Sequence, residues 1–187
     1  MPPLSAQPDA TLVRLLAAAP PEDADALEAL YLRHREWALR VAFRFCRDEG
    51  LAHDAVQEAF LYVARKGAGG MVLSAQFTTF LYPALKHEAE AARRKALRLA
   101  SDAALPEPEA PPVREETDLA PLLARLPAEQ CEALLLRFVD GLSIAEVAAA
   151  TATPEGTVKT RLFHAIRKLR ADPATAAYFG VAPSAAH

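Results

Sequence analysis

The stretch GLSIAEVAAATATPEGTVKTRLFHAIRKLR, residues 141–170, carries the start signals of two successive helices. In the first, Ser143 stands at the N-cap position and Glu146 follows three residues later, which completes a capping box. At the end of the turn ATAT, Thr153 is predicted to cap a second helix whose first residue is Pro154, because a missing N–H costs nothing there. Two helices a few residues apart, with the cations on the second, predict a helix-turn-helix unit.

The second helix has two chemically different faces. At about 100° per residue, one narrow apolar stripe is predicted to be buried, and it contains Val158, Leu162, Ala165, Ile166 and Leu169. Cations in the first turns of a helix oppose its dipole, so Lys159 and Arg161 favour a role outside the helix, whereas cations near its C-terminal end can serve the dipole alone. Donors and a ring on this face suit guanine edges, phosphates and thymine methyls. The candidate DNA-binding residues are Gly156, Thr157, Lys159, Thr160, Arg161, Phe163, His164 and Arg167.

The net charge of −3 over 187 residues conceals a strong segregation of charge along the chain. Residues 31–101 hold twelve bases against seven acids, whereas residues 102–118 hold six acids against one base. A basic body beside an acidic segment indicates polyanion binding. The segment SDAALPEPEAPPVREETD, residues 101–118, has four prolines and no apolar periodicity, so we predict a flexible acidic linker.

The linker separates an N-terminal domain, residues 1–100, from a C-terminal domain, residues 119–187. With 52% apolar residues in the chain, both domains can bury a core. Pro127 separates two helices ahead of the helix-turn-helix, and Gly141 is predicted to end the second of them in the left-handed conformation. Apolar spacing without strand alternation predicts an all-α fold, with N-terminal helices at residues 26–46, at 53–66, ending before the glycines of KGAGG, and at 76–98.

The residues also limit the chemistry of the chain. Cys46 and Cys131 lie far apart in apolar contexts, without a second cysteine or histidine at metal-ligand spacing, so both are predicted to be buried, reduced thiols. No metal or other cofactor is expected. The apolar segment LVRLLAAA is short and contains Arg14, which does not fit a signal peptide or a membrane span. We therefore expect a cytoplasmic protein without membrane insertion.

Residues 126–170 resemble the C-terminal domain of the extracytoplasmic-function (ECF) sigma factors of bacterial RNA polymerase, with LLLR, GLS, EVA and GTVKTRL in register. The resemblance implies that GTVKTR lies in the major groove of the minus-thirty-five promoter element. DAVQEAFLYVAR, residues 54–65, is similar to the family's helix that docks on the clamp coiled coil of the polymerase. A solvated helix face is the alternative role for this surface. The candidate polymerase contacts are Asp54, Gln57, Glu58 and Leu61.

FTTFLYPALKHEAEAARRKALR, residues 77–98, is similar to the family's promoter-melting helix, which engages the minus-ten element as the DNA opens. Strand separation needs aromatic surfaces for base stacking and cations for the freed backbone. Phe80 replaces the commoner tryptophan and has core packing as its alternative role, whereas Phe77 is assigned to the core. Pro83 predicts a kink or a new helix start. The candidate minus-ten contacts are Phe80, Lys86, His87, Arg93 and Arg94, with Tyr82 and Lys95 as further groups of suitable chemistry.

The resemblance implies a sigma factor that directs core polymerase to specific promoters and assists DNA melting, while catalysing no bond change itself. The implied partners are core RNA polymerase, through its clamp coiled coil and flap, promoter DNA and an anti-sigma factor. Two alternatives stay open: a helix-turn-helix transcription regulator that acts without polymerase docking, and a sigma-mimicking adaptor. Lys159 and Arg161 count against the adaptor, which needs no DNA-reading cations.

Overall fold

The regular elements of this protein are helices wherever the computed structural model describes it, at residues 3–18, 25–102 and 120–172, and this confirms the all-α prediction. The chain divides into two compact units. Most of the predicted linker, residues 103–118, lies outside the described residues, whereas its first two residues belong to the last helix of the N-terminal unit. The domain boundaries at residues 100 and 119 stay predictions.

The described part of the N-terminal unit begins with a short 3-10 turn at Leu4–Ala6. Four helices follow: α1 at Asp9–Ala18, α2 at Asp25–Cys46, α3 at Glu49–Ala68 and α4 at Phe77–Asp102. Helices α2, α3 and α4 pack against one another, and α1 packs on α2 and α3. Their apolar faces meet in a core whose fully buried side chains include Leu12, Leu30, Val41, Val56, Val63, Phe77, Leu81 and Leu85. Burying each such side chain is worth about 1.5–3 kcal/mol, which makes this core the main favourable term for the unit.

The end of α3 differs from its prediction at one glycine. The helix begins after the N-cap Asp48, whose carboxylate accepts a hydrogen bond from the Leu51 N–H at 2.8 Å. It then continues through Gly67, which was predicted to lie beyond its end. A Cβ on Gly67 would lie 2.7 Å from the Cβ of Leu16, so the glycine allows α1 to approach α3 closely. The helix stops before Gly70, whose φ of 79° suits glycine.

Pro83 does not start a new helix, because α4 runs unbroken from Phe77 to Asp102. The proline removes one backbone donor and is itself exposed. The buried side chains of Leu81, Tyr82 and Leu85 hold the backbone on both sides of it against α2 and α3. Packing therefore maintains the helix across the proline, and a bend at this point stays a prediction.

The two cysteines differ in their environment. Cys46 is buried at the end of α2, and its Sγ donates towards the carbonyl oxygens of Ala42 and Asp48, both at 3.3 Å. Cys131 also forms no disulfide but is only half-buried, so the prediction of burial is wrong for this residue. It stands two residues before Ala133, on a different side of its helix from the buried positions Ala133 and Leu136.

The described part of the C-terminal unit contains four helices: α5 at Ala120–Leu123, α6 at Ala128–Phe138, α7 at Ile144–Ala150 and α8 at Glu155–Ala171. Helix α8 packs on α6 and α7. The predicted capping box is confirmed: the Ser143 hydroxyl accepts from the Glu146 N–H at 3.2 Å, and the Glu146 carboxylate accepts from the Ser143 N–H at 2.8 Å. Gly141 has the predicted left-handed φ of 76°, but α6 already ends at Phe138 with Val139 as its C-cap, so Gly141 lies three residues beyond the helix and does not cap it.

The start of α8 was predicted incorrectly in its details. Pro154 occupies the N-cap position, α8 begins at Glu155, and no side chain caps the first turn. The Thr153 hydroxyl donates instead to the Thr151 carbonyl at 3.0 Å, because Thr153 precedes the N-cap position and belongs to the turn. The predicted apolar stripe does face the core: Val158, Leu162 and Ala165 are buried, and Ile166 and Leu169 are half-buried.

Candidate nucleic-acid interface

The exposed face of α8 brings all the predicted minus-thirty-five residues onto one regular helix. Its buried stripe fixes the rotation of the helix, so the opposite side must face outward. Phe163 is the most unusual of these residues, because a ring that is 61% exposed gains nothing from core packing. Gly156, Thr157, Lys159, Thr160, Phe163 and Arg167 are exposed, and Arg161 and His164 are half-buried.

Three short-range contacts organise the first turns of α8. Lys159 Nζ lies 3.8 Å from a carboxylate oxygen of Glu155, and both side chains are exposed. Breaking this ion pair so that the lysine contacts DNA therefore costs little free energy. Thr160 donates its hydroxyl proton to the Gly156 carbonyl at 2.9 Å, which leaves its oxygen free to accept from a base amino group. Arg161 donates to the Thr153 hydroxyl at 3.3 Å, and its other N–H groups remain available for a guanine or a phosphate.

A ring and cation cluster occupies the middle of the same face. The Phe163 and His164 rings lie 5.5 Å apart in an edge-on arrangement, and the Arg167 guanidinium lies 5.6 Å from the centre of the Phe163 ring. The cation–π contact limits the motion of the exposed ring, which can touch a thymine methyl group. The cluster therefore offers DNA an apolar ring, Phe163, and a cation, Arg167, within about one turn of the helix.

The predicted minus-ten residues of α4 fall on two faces of that helix. Phe80, His87 and Arg94 are spaced by seven residues and therefore form one stripe, with a drift of about 20° per heptad. Lys86 and Arg93 each stand one residue earlier, which places them about 100° away around the helix. Lys86 is half-buried with its Nζ 5.5 Å from the centre of the Phe45 ring of α2. The five residues thus do not form a single surface.

The aromatic residues of α4 also differ in exposure. Phe77 is buried, as predicted. Tyr82 is only 2% exposed, so its interpretation as a group available to DNA is wrong: helical spacing turns it into the core beside Leu81 and Leu85. Phe80 is half-buried and stacks on Tyr62 of α3, with ring centres 5.9 Å apart and 15° between the planes. Sequence reasoning did not identify Tyr62, because a single tyrosine on an apolar helix carries no signal of its own.

The predicted docking residues of α3 share one exposed face. Asp54, Gln57, Glu58 and Leu61 are all exposed, and Leu61 keeps 49% of its surface accessible. Asp54 and Glu58 also line a shallow groove between α3 and α4, to which α4 contributes Glu88 and Lys95. Alanines occupy much of this groove, and it was not predicted because alanine fits any helix face. The face therefore combines acidic groups, an exposed leucine and a narrow apolar floor.

A histidine links α1 to α2 at the other side of the N-terminal unit. His34 Nε2 lies 2.9 Å from a carboxylate oxygen of Asp9, whose other oxygen pairs with Arg33. The His34 ring also packs on Phe77, with ring centres 4.8 Å apart. Burial lowers the pKa of His34 below 6.5, and the neighbouring Asp9 carboxylate opposes this shift only in part.

Among the described residues, no group of three or more His, Cys, Asp or Glu side chains could hold a metal ion. Within the same described part of the chain, no helix is long and apolar enough to cross a membrane.

Comparison with known families assigns both units. The model of Sigma-70 region 2 matches residues 30–99, and the model of Sigma-70, region 4 matches residues 118–169. The chain is 32% identical to the ECF RNA polymerase sigma factor SigM of Mycobacterium tuberculosis over 162 residues, which cover 83% of this chain and 81% of that protein.

Two solved structures have a similar fold. One is CnrH in complex with the cytosolic domain of CnrY, with a TM-score of 0.63, 21% identity and coverage of 86% of this chain and 93% of that chain. The other is the sigma factor RpoE in complex with the anti-sigma factor NepR from Bartonella quintana, with a TM-score of 0.58, 21% identity and coverage of 82% and 96%.

Proposed function

Since the chain belongs to the extracytoplasmic-function sigma factors of RNA polymerase, we propose that its two units divide promoter recognition between them. It is a transcription regulator that directs core polymerase to specific promoters and assists DNA melting at initiation. The proposal concerns the division of labour: α8 reads duplex DNA, α4 handles the opening strands, and α3 docks on the polymerase. The polymerase performs all of the covalent chemistry.

Helix α8 is proposed to read the minus-thirty-five element from the major groove. Its exposed face offers Lys159, Arg161 and Arg167 as donors and Phe163 as an apolar contact, and Glu155 is its only acid. The free N–H groups of its first turn lack a side-chain cap and can meet a phosphate. This largely exposed helix side, which carries cations and no acid after Glu155 and is backed by a buried stripe, is the observation that carries the proposal.

Helix α4 is proposed to contact the minus-ten element through the stripe formed by Phe80, His87 and Arg94. Phe80 offers a ring for stacking, and the exposed Arg94 is held only by an exposed pair with Glu90 at 3.8 Å. His87 is exposed and can donate to or accept from an unpaired base. Lys86 and Arg93, on the second face, suit the phosphate backbone rather than the bases.

The proposed partners follow from the exposed faces and from the family. The α3 face of Asp54, Gln57, Glu58 and Leu61 is assigned to the clamp coiled coil of core polymerase, and the C-terminal unit is assigned to the flap. An anti-sigma factor is a further proposed partner, because the similar RpoE forms a complex with the anti-sigma factor NepR. The location is proposed to be cytoplasmic, because polymerase and promoter DNA are there.

Run-off transcription tests the proposal. Core RNA polymerase is incubated with fragments of the source genome, with the chain, without it, or with the variant Glu58→Arg. The wild-type chain should start transcripts from a subset of fragments. Glu58→Arg should lose this stimulation because it reverses a charge on the docking face, whereas the matched variant Glu36→Arg, an exposed acid on α2 outside the proposed contacts, should keep it.

The alternatives give different results in the same assay. A folded chain that binds a fragment tightly without polymerase and stimulates no transcript would be a conventional helix-turn-helix regulator. A chain that neither binds DNA nor stimulates any fragment would be a sigma-mimicking adaptor. Either result would overturn the proposed function.

A further inference from the structure

The stacked pair of Tyr62 and Phe80 joins α3 to the proposed melting stripe of α4. Tyr62 belongs neither to the docking face nor to the predicted minus-ten residues. Lys66, one turn further along α3, is exposed and places its Nζ 5.7 Å from the centre of the Tyr62 ring. We propose that Tyr62 and Lys66 form, with Phe80, a binding site for an unpaired promoter base and its phosphate. The proposal rests on the proposed melting role of α4.

The accessibility of this pair distinguishes it from the ring contacts of the core. Phe77 and Tyr82 are 1% and 2% exposed, and their neighbours meet them at tilted or edge-on angles. Tyr62 and Phe80 are both half-buried, and their planes differ by only 15°. The two nearly parallel, half-buried rings are offset-stacked, so an unpaired base can stack on their exposed part without rearranging them.

The position of Lys66 supplies the charge that such a site requires. As a cation in the last turn of α3 it also stabilises the helix dipole, and this accounts for a basic residue there. The dipole does not account for its position over the Tyr62 ring, where a cation–π contact orients the ammonium beside the stack. A base on the rings would bring its phosphate close to this ammonium.

The site continues the α4 stripe at its N-terminal end. From Phe80 to Arg94 the stripe spans fourteen residues, or about 21 Å of helix. Tyr62 and Lys66 extend it onto α3, so an opened strand meets two rings, a histidine and cations in sequence. Leu61 and Tyr62 are neighbours in the chain and stand about 100° apart on the helix. Helix α3 can therefore hold polymerase and an unpaired base on different sides.

The test compares Tyr62→Leu with Tyr62→Phe in the polymerase holoenzyme, on a fragment to which the wild-type chain responds. Each is assayed on duplex DNA and on the same fragment with a mismatched, already opened minus-ten segment. Tyr31→Leu is the matched control, since Tyr31 is also half-buried and contacts a phenylalanine ring, Phe60, away from the stripe. Thermal unfolding of every variant measures its stability.

We expect Tyr62→Leu to lower transcription from duplex DNA about fivefold to 150-fold, the range for loss of one base–aromatic stack. At saturating holoenzyme, output from the opened template should change less than about twofold, because the strands there need no separation and the lost stack lowers only the affinity. Tyr62→Phe should restore duplex output, because it keeps the ring, and Tyr31→Leu should affect both templates alike. Lys66→Gln should reduce the slope of log affinity against log salt by about 0.7, the value for one single-strand phosphate contact.

Other outcomes separate this inference from the proposed function. If Tyr62→Leu matches the wild type on duplex DNA, or loses the same factor on both templates, Tyr62 serves packing only and the inference fails while the sigma function stands. If the wild-type chain stimulates neither template, the proposed function fails and the inference falls with it. An unchanged salt slope for Lys66→Gln would remove the phosphate contact from the site.

Discussion

The two helices assigned to promoter DNA, α8 and α4, present their cations and rings in different ways. In α8 the candidate residues cover the broad side of the helix opposite its buried stripe, and they all come from that one helix, with Arg161 and His164 half-buried. In α4 the candidates divide between two faces, and the key ring, Phe80, is supported by Tyr62 from a neighbouring helix. Recognition of duplex DNA requires donors at fixed positions on one helix in the groove. Binding of an opened strand requires a broader surface, to which several helices contribute.

The largest expected effect comes from removing a core side chain that packs α4 against its neighbouring helices. Leu81→Ala removes a fully buried side chain from the N-terminal core and should lower the free energy of unfolding of that unit by about 2–5 kcal/mol. Hydrogen exchange measured by mass spectrometry should show faster exchange in α2, α3 and α4. Leu97→Ala, on the same helix but 55% exposed, is the control and should change stability by less than about 0.5 kcal/mol.

If the packing of α8 within its own unit fixes its orientation, the Leu81→Ala substitution should leave hydrogen exchange in α6, α7 and α8 unchanged. Loss of protection in both units would mean that they unfold together, and the comparison between two separately supported helices would fail.

A second, smaller effect tests the reading face of α8. Arg161→Ala should weaken promoter binding by the holoenzyme by about 1–3 kcal/mol and relax sequence preference at one minus-thirty-five position, if its guanidinium contacts a base. Competition binding with single-base variants of the element measures both quantities. Arg170→Ala, an exposed cation in the last turn, is the matched control and should weaken all sequences alike or not at all. Equal losses for Arg161→Ala on every sequence would reduce its role to a phosphate contact.

The smallest effect concerns the support of the N-terminal unit and depends on pH. Because burial lowers the pKa of His34 below 6.5, the unfolded chain takes up a proton there more readily than the folded chain does. The stabilisation is therefore present above pH 6.5 and is lost as the pH falls through the lowered pKa. The Asp9 carboxylate and Arg33 face the ring from α1 and α2, and Phe77 of α4 packs against it.

His34→Asn should flatten this pH dependence of unfolding between pH 8 and pH 5, as measured by denaturant titration at each pH. His53→Asn replaces an exposed histidine of α3 and should retain the wild-type slope. Identical slopes for the wild type and His34→Asn would show that this histidine does not couple protonation to folding.

The predictable part of the molecule lies where local chemistry decides the structure. The Ser143 capping box, the left-handed Gly141 and the buried stripe of α8 each follow from neighbouring residues, and all three are confirmed. Contacts between helices decided the rest. Gly67 lies inside α3 at a point where any Cβ would clash with Leu16, and buried side chains on both sides of Pro83 hold α4 against its neighbours.

The candidate sites follow the same division. The residues of α8 were identified as a set from spacing within a single helix, and the structure leaves six of the eight exposed, with Arg161 and His164 half-buried. The partner of Phe80 could not be identified, because Tyr62 is eighteen positions away in the chain and only the packing of α3 on α4 brings the rings together. Thr153 shows that local sequence does not always decide a hydrogen bond. Its hydroxyl could cap α8 or bond within the turn, and it donates to the Thr151 carbonyl of the turn.

Photo-cross-linking in the holoenzyme tests the division between α8 and α4 most directly. A photoreactive amino acid is placed at position 163 or at position 80, and the cross-linked nucleotides are mapped before and after promoter opening. We predict that position 163 cross-links to the duplex minus-thirty-five element in both states, and that position 80 cross-links to the unpaired minus-ten strand only after opening. Equal cross-linking of position 80 to the closed duplex, or cross-linking of position 163 to the opened segment, would contradict this account.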